Sequence, residues 1–336
     1  MSMTRRRMLM LSLGGSALLT SGYSALRSSR PAFVTRRGWA LGSDVTMTVA
    51  CDSTGTAESA LDAAFAELET VEQVMSLYRP DSQVCRLNRD KSLKDPHPYL
   101  VDVLTAATTM SRQTGGAFDI TVQTFWDLHS KCLRNGGFPT EAQVETARQT
   151  IDWQCVEITS ALIRLRSPAE LITLNGIAQG FAADRALAAL QACGIQQALV
   201  NTGEIGSLGR KSSTQPWIAG VQHPRDPDAY STLASLDGRS LATSGDYETT
   251  FSADFSKNHI FDPRTGQSPQ ELASVSIVAS SGMQADALST AAMVLGADRT
   301  LSLVQSMPGV DAFLVLKSGQ TLQTRGFPAM NSSAVT

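Results

Sequence analysis

The residue types best suited to chemistry lie in a short segment near the carboxyl end of the chain. Asp286 and Thr290 are four residues apart in a stretch that predicts a helix, so both side chains would lie on one face. A carboxylate and a hydroxyl are hard oxygen ligands, which suit Mg²⁺ or Ca²⁺ better than a soft metal. The carbonyl of Gly176, where a strand passes into a helix, could complete an oxygen site. The structural alternative is that Asp286 caps its helix and Gly176 forms a turn.

A second segment, His259-Ile-Phe-Asp-Pro-Arg-Thr-Gly266, presents an imidazole, a carboxylate and a guanidinium around a tight turn. Asp followed by Pro, with Gly further on, is a turn signature, which accounts for Asp262 without any chemistry. It does not account for His259, one of only four histidines, or for Arg264. A magnesium site beside these groups would indicate phosphate chemistry.

Two further polar loops are candidate ligand-binding segments. In Thr114-Gly-Gly-Ala-Phe-Asp-Ile-Thr121 the glycines would let a ligand approach the backbone, and Asp119 would accept from a ligand N–H or hydroxyl. In Ala242-Thr-Ser-Gly-Asp-Tyr-Glu248, the side chains of Thr243 and Ser244 and the backbone amides could hold phosphate. The structural alternative is a helix stop in the first loop and a plain turn in the second.

The first residues predict a targeting segment. Thr4-Arg-Arg-Arg7 precedes a short apolar run from Met8 to Leu19, which is too short to span a membrane comfortably. The paired arginines favour export to the periplasm by the twin-arginine route, and an ordinary secretory signal with an extra arginine is the alternative. No cysteine follows the apolar run, so we expect no lipid anchor.

Composition narrows the class of partner. The formal net charge is −3, and removing residues 1–25 would take away three arginines and no acid. An acidic export product has no electrostatic basis for binding nucleic acid. The five cysteines, at positions 51, 85, 132, 155 and 193, show no zinc spacing, and most of them are best explained as buried small residues.

The pattern of elements predicts an α+β fold with mixed, largely antiparallel sheets flanked by helices, because hairpins are implied and strands and helices do not alternate strictly. We expect a linker over 26–36, a strand from Gly38 to Cys51, a loop-rich insertion after Val122 and a disordered tail over 327–336. Neither a P-loop nor a Gly-x-Gly-x-x-Gly motif is present. The expected organisation is an export signal and linker in 1–30 and one large region over 31–326.

Taken in order, the motifs resemble those of the ApbE family, the FAD:protein FMN transferases. The matching segments are Ala40–Ser43, Ser76–Ser82, Thr114–Val122, Gly176–Asp184, Ala198–Asn201, Ala242–Glu248, His259–Gly266 and Ala285–Gly296. The resemblance implies a two-lobed fold and an exported bacterial enzyme. It implies that the enzyme splits FAD with Mg²⁺, joins FMN to a Ser or Thr hydroxyl of a partner flavoprotein, and releases AMP.

The resemblance also implies roles for individual residues. The metal would be held by Asp286, Thr290 and the carbonyl of Gly176. His259 and Asp262 would lie at the reacting phosphates as catalytic residues. The implied FAD contacts are Leu41, Tyr78, Ala117, Phe118, Asp119, Thr173, Gln179 and Phe261.

Three positions depart from the common family pattern. Thr173 stands where Asp is usual, Gln179 where Lys or Glu is usual, and Gly203-Glu204 where two glycines are frequent. Thr173 and Gln179 are neutral but still form hydrogen bonds, so the departures bear on FAD affinity more than on the metal. Two alternatives to protein flavinylation stay open at this point: hydrolysis of FAD to FMN and AMP, and a flavin-binding maturation protein without catalysis.

Overall fold

A computed structural model describes residues 32–167 and 171–330 of the protein. The predicted export signal and the last six residues of the predicted tail therefore lie outside the described residues. Within the described ranges, no helix is both long and apolar enough to cross a membrane.

The strands and helices are named in chain order. The strands are β1 (Ala32–Ala40), β2 (Ser43–Cys51), β3 (Ser92–Lys94), β4 (Val156–Ile158), β5 (Leu162–Leu165), β6 (Ala198–Asn201), β7 (Ile205–Leu208), β8 (Trp217–His223), β9 (Asp226–Leu236), β10 (Ser240–Gly245), β11 (Leu272–Ala279), β12 (Asp311–Leu316) and β13 (Thr321–Gln323). The helices are α1 (Thr54–Met75), α2 (Gln83–Asp90), α3 (Pro98–Gln113), α4 (Gln123–Arg134), α5 (Glu141–Arg148), α6 (Ala178–Ala192), α7 (Gly282–Leu295) and α8 (Ala297–Gln305).

One large sheet organises the described part of the chain. Its eight strands follow the order β1-β2-β6-β7-β10-β11-β12-β13, and every neighbouring pair is antiparallel. A small sheet, β3-β5-β4, and the hairpin β8-β9 complete the strands. Antiparallel sheets with helices packed on them confirm the predicted α+β class.

The core lies on both faces of the large sheet. Helices α1, α6 and α7 pack on one face, where Val275 and Ile277 of β11 join the main hydrophobic cluster. The β8-β9 hairpin covers the other face, where Val278 of β11 packs with Trp217 of β8. Because both sides are covered, β11 is buried along its whole length, and it forms a rigid base for α7.

The amino-terminal region differs from the prediction. β1 and β2 form a hairpin that turns at Leu41 and Gly42, whose φ angles are 53° and 75°. The linker prediction is therefore wrong from Ala32 onward. β1 is an edge strand with one side open to solvent, so its sequence carries little apolar signal.

The region after the Thr114–Thr121 loop also differs from the prediction. Asp119 caps a short 3-10 turn over Ile120–Val122, because its side chain accepts from the Thr121 N–H. The predicted loop-rich insertion contains two helices, α4 and α5. Helix α5 begins with a capping box formed by Thr140 and Gln143, a local signal for a helix start.

The predicted tail is corrected at its start. Phe327 is buried, with its ring 5.5 Å from that of Phe313. The N–H of Ser235 in β9 donates to the carbonyl of Pro328 at 2.9 Å, and the N–H of Met330 donates to that of Leu233 at 2.8 Å. Backbone pairing with β9 therefore orders residues 327–330.

Candidate active site

Helix α7 carries two of the three predicted metal ligands, Asp286 and Thr290, and it crosses α6 where each helix has a glycine. A Cβ built on Gly180 of α6 would lie 2.7 Å from the Cβ of Asp286, and closer still to the carbonyl of Gly282 in α7. Only residues without a side chain allow the two backbones to approach this closely. The crossing sets the amino-terminal end of α6 against the first two turns of α7.

The carboxyl group of Asp286 is buried in this crossing, where the residue is only 4% exposed. Its Oδ2 accepts a hydrogen bond from the Gly180 N–H at 2.9 Å. Burial raises the pKa of Asp286 to about 7, against the lowering effect of the Gly180 and Gln179 N–H groups and with the Asp184 carboxyl adding to the rise. A divalent cation beside Asp286 would favour its ionised form by supplying an opposite charge.

Thr290 and Gly176 meet one turn further along α7. A Cβ built on Gly176 would lie 2.8 Å from Oγ1 of Thr290, so the Gly176 backbone lies directly against that hydroxyl. The Thr290 hydroxyl is within hydrogen-bond distance of the Ser244 hydroxyl, at 3.1 Å, and Ser244 is 2.8 Å from the hydroxyl of Ser289. Two of the predicted metal-ligand residues, Thr290 and Gly176, are therefore in contact, one helical turn from Asp286.

The donor set decides which metal would fit this place. Among residues 32–167 and 171–330, no group of three or more His, Cys, Asp or Glu side chains is arranged to hold a metal ion. One carboxylate, one hydroxyl and backbone carbonyls are all oxygen donors, which do not suit Zn²⁺. Mg²⁺ typically takes one or two carboxylates and completes its shell with water and substrate phosphates. The site therefore fits Mg²⁺ bound together with a phosphate ligand.

The His259–Gly266 segment forms the tight turn that its sequence predicts. The Asp262 carbonyl accepts from the Gly266 N–H at 2.8 Å, and Gly266 has a φ of 68°. Both carboxylate oxygens of Asp262 accept from the Arg264 guanidinium, at 2.8 Å and 2.7 Å. This ion pair raises the pKa of Arg264 and braces the turn. Nδ1 of the half-buried His259 lies 3.3 Å from the carbonyl of Thr249.

Asp119 lies near this turn. Asp119 and Arg264 line the same cleft, whose volume is about 280 Å³. Oδ1 of Asp119 accepts from the Thr121 N–H at 2.8 Å and from the Thr121 hydroxyl at 2.6 Å, and Oδ2 accepts from the Trp153 N–H at 3.3 Å. Burial raises the pKa of Asp119 to about 6 despite these hydrogen bonds.

The segment from Thr173 to Gly176 links the cleft with the helix crossing. The Thr173 N–H donates to the carbonyl of Ile120 at 2.8 Å, directly after Asp119. The Thr173 hydroxyl accepts from the Asn175 N–H at 3.2 Å, which stabilises the turn that leads to Gly176. Thr173 therefore performs locally a capping role that an Asp could also perform.

Leu41 and Gln179 form a separate contact. Nε2 of Gln179 lies 3.5 Å from the carbonyl of Leu41, which is at the tip of the β1-β2 hairpin. Gln179 also lies against Gly203, where a Cβ would be 2.5 Å from the same nitrogen. The other predicted contact on this side, Tyr78, follows α1 and is 76% exposed, so its ring is accessible to a ligand.

Three of the predicted FAD contacts lie in the core. Ala117 and Phe118 belong to the main hydrophobic cluster. The ring of Phe261 packs 4.7 Å from that of His129 and 5.7 Å from that of Phe125. The side chains of Phe118 and Phe261 therefore stabilise the loops, and a ligand would meet the backbone at these positions.

Two polar groups near the site were missed as contributors to its geometry. Oε2 of Glu204 accepts from the Thr243 N–H at 2.9 Å, beyond the point where β7 stops pairing with β10. Asp246 is fully buried, and the guanidinium of Arg225 binds both of its carboxylate oxygens, at 2.7 Å and 2.9 Å. The partners of Glu204 and Asp246 are distant in the sequence, so no local sequence pattern indicated these contacts.

The class of protein is defined by three features: the antiparallel α+β fold, the oxygen donors on α7 and the His-Asp-Arg turn. The chain belongs to the ApbE family, whose family model matches residues 41–314. Every predicted site residue, from Leu41 to Thr290, lies within that match.

Individual relatives agree with this assignment. The FAD:protein FMN transferase of Salmonella typhimurium is 28% identical over 271 residues, which are 77% of each chain. The crystal structure of the ApbE protein from Thermotoga maritima has a TM-score of 0.79 and 27% identity, covering 88% of this chain and 97% of that one. The apo form of the Pseudomonas stutzeri flavinyl transferase ApbE has a TM-score of 0.76 and 29% identity, covering 89% and 97%.

Proposed function

We propose that this protein is a Mg²⁺-dependent FAD:protein FMN transferase. It transfers FMN from FAD to a Ser or Thr hydroxyl of a partner flavoprotein and releases AMP. The relatives named above as FAD:protein FMN transferases support the reaction class. The observation that carries the proposal is the packing of α7, which sets buried Asp286 against the Gly180 N–H and Thr290 against the Gly176 backbone.

The chemistry requires in-line attack on a pyrophosphate and neutralisation of the charge that develops there. The acceptor oxygen attacks the phosphorus on the FMN side, and the bond to the bridging oxygen breaks, so that AMP leaves. Mg²⁺, when bound, would act as a Lewis acid on the phosphate oxygens. Asp286, Thr290 and the Gly176 carbonyl would hold it, while the α6-α7 crossing fixes their relative positions.

His259 is the candidate for the proton of the acceptor hydroxyl. In this proposal Nδ1 carries the ring proton and donates it to the carbonyl of Thr249, which lies 3.3 Å away. This tautomer makes Nε2 the basic nitrogen, which can remove the acceptor's proton. Asp262 and Arg264 form a closed ion pair, so in this proposal they hold the turn that presents His259.

Binding of FAD would use the cleft and the loops around it. Asp119 is a hydrogen-bond acceptor at the wall of the 280 Å³ cleft, and exposed Tyr78 offers a ring face. Thr173 and Gln179 are neutral, so their contribution to FAD would be through hydrogen bonds without charge. The acceptor would be an exported flavoprotein, since the twin-arginine signal expected in residues 1–30 predicts a periplasmic site.

The Asp286→Ala variant tests the metal site. The substitution removes the only carboxylate of the donor set, so we expect Mg²⁺-dependent FMN transfer to fall by about 100-fold or more, in line with the loss of a main charge-stabilising group. The fold should persist, because the change also removes a buried carboxyl that is costly to ionise. Asp298→Ala, on exposed α8, is the matched control and should transfer FMN normally.

The reaction products separate the remaining possibilities. FMN on the acceptor protein supports the proposal, whereas free FMN and AMP alone would favour FAD hydrolysis. Unchanged FAD bound to the protein would favour a non-catalytic maturation protein. Undiminished turnover in the Asp286→Ala variant would contradict the assignment of Asp286 as a Mg²⁺ ligand.

A further inference from the structure

Asp184 of α6 binds the amino-terminal end of α7 with three hydrogen bonds. Its Oδ1 accepts from the Gly282 N–H at 2.6 Å. Its Oδ2 accepts from the Met283 N–H at 3.0 Å and from the Ser281 hydroxyl at 2.8 Å. The first N–H groups of a helix have no partner within the helix, so a carboxylate at this point satisfies them and complements the helix dipole.

These bonds form one side of a reciprocal arrangement. Asp184 of α6 holds the N–H groups that begin α7, while Asp286 of α7 accepts from the Gly180 N–H at the beginning of α6. Gly180 and Gly282 lie between the two carboxylates, at the closest approach of the helices. Each helix therefore provides a carboxylate for the amino-terminal end of the other.

This arrangement fixes both the rotation and the axial position of α7. A helix with a rise of about 1.5 Å per residue displaces its side chains by that distance for a slip of one residue. Such a slip would move Asp286 away from the Gly180 N–H and Thr290 away from the Gly176 backbone. The glycine contact alone permits sliding, whereas three directional hydrogen bonds from Asp184 do not.

We propose that Asp184 is a positioning residue for the metal site, because its bonds to Ser281, Gly282 and Met283 hold Asp286 and Thr290 in register with Gly176. Asp184 acts through the helix and contacts neither metal nor substrate in this account. The inference rests on the proposed function, because it assigns Asp184 a role in the site that Asp286 and Thr290 form.

The Asp184→Asn variant is the main test. Asn keeps one oxygen acceptor for Gly282 but presents an N–H group where Oδ2 accepted from Met283. The hydrogen bonding to α7 is therefore weakened, with little change in side-chain volume. Asp311→Asn is the matched control, because Asp311 also accepts partly buried hydrogen bonds, from Thr324 and Arg239, but lies on β12 outside the helix crossing. Both variants should lose some stability.

Three measurements separate positioning from general stability. The first is the KM for Mg²⁺ in FMN transfer, which should rise about tenfold or more in Asp184→Asn, as for loss of a group that orients metal ligands. The KM for FAD should change little. The second is amide hydrogen exchange in α7 without Mg²⁺, which should accelerate in Asp184→Asn alone. The third is urea unfolding without Mg²⁺, which gives the stability loss of each variant.

The outcomes are distinct. A selective rise in the Mg²⁺ KM with faster α7 exchange supports the proposal, provided that Asp311→Asn shows neither. Equal stability losses in the two variants with a wild-type Mg²⁺ KM in both would overturn it. If Asp286→Ala retains Mg²⁺-dependent transfer, the proposed function fails first, and that result is distinguishable from failure of the Asp184 inference alone.

Discussion

The close approach of α6 and α7 makes a quantitative prediction for the Gly180→Ala substitution. In an ordinary helix, replacing Gly by Ala stabilises the protein by up to about 1 kcal/mol. At this position the new methyl group would lie 2.7 Å from the Cβ of Asp286 and closer to the backbone of Gly282. Backbone atoms cannot move away as the end of a flexible side chain can, so the helices must separate.

The gain in helix propensity and the cost of overpacking oppose each other, and their sizes decide whether the free energy of unfolding rises or falls. Overpacking of this kind typically costs about 1–3 kcal/mol, and rigid backbone partners favour the upper part of that range. After subtraction of the helix-propensity gain of about 1 kcal/mol, we expect Gly180→Ala to lower the free energy of unfolding by about 1–2 kcal/mol. Separation of the helices should also move Asp286 away from the Gly180 N–H and impair Mg²⁺-dependent transfer.

Gly55→Ala is the matched control, because Gly55 also lies in the first turn of a helix, α1. A Cβ at Gly55 would meet only Oγ of Ser53, at 3.9 Å. This variant should be as stable as wild type or more stable by up to about 1 kcal/mol. Urea unfolding followed by the fluorescence of the four tryptophans measures both variants. If Gly180→Ala is stabilised as much as Gly55→Ala, the close helix crossing is refuted.

Two further predictions concern buried carboxylates. Burial raises the pKa of Asp119 to about 6 in the folded protein, above its value in the unfolded chain. Folding therefore binds a proton, and between about pH 4 and pH 7 the wild type should lose up to about 3 kcal/mol of stability relative to Asp119→Asn. Parallel pH profiles of unfolding would contradict this. Arg225→Met removes the main partner of fully buried Asp246 and should cost about 3 kcal/mol. Arg210→Met breaks the exposed pair with Asp237 and should cost less than about 1 kcal/mol. If urea unfolding gives the same loss of stability for both variants, burial does not determine the contribution of these ion pairs.

The sequence predicted those features whose signal is local. The spacing of Asp286 and Thr290 predicted both side chains on one face of a helix, and the Asp-Pro signature predicted the turn at Asp262. β11 and β12 consist of short apolar runs, which are typical of buried strands, so their sequences carry a local strand signal. The α+β class followed from hairpins and helices that do not alternate strictly.

The remaining features depend on contacts between distant parts of the chain. The Asp184 bonds to α7 span about a hundred residues, and the Asp246 pair with Arg225 joins two loops, so neither has a local pattern. Only the last three residues of β1 fell within the predicted strand, because the residues before Gly38 are mostly exposed or half-buried and include two arginines. The ring of Phe261 packs on Phe125 and His129 of α4, and the sequence did not indicate this contact because α4 was predicted as a loop.

The most direct test of the proposed function is the mass of an acceptor flavoprotein after incubation with this protein, FAD and Mg²⁺. The account predicts that one Ser or Thr of the acceptor gains FMN in phosphoester linkage, with one AMP released for each FMN attached and with no gain when Mg²⁺ is removed. Release of FMN and AMP at full rate with an unmodified acceptor would contradict it.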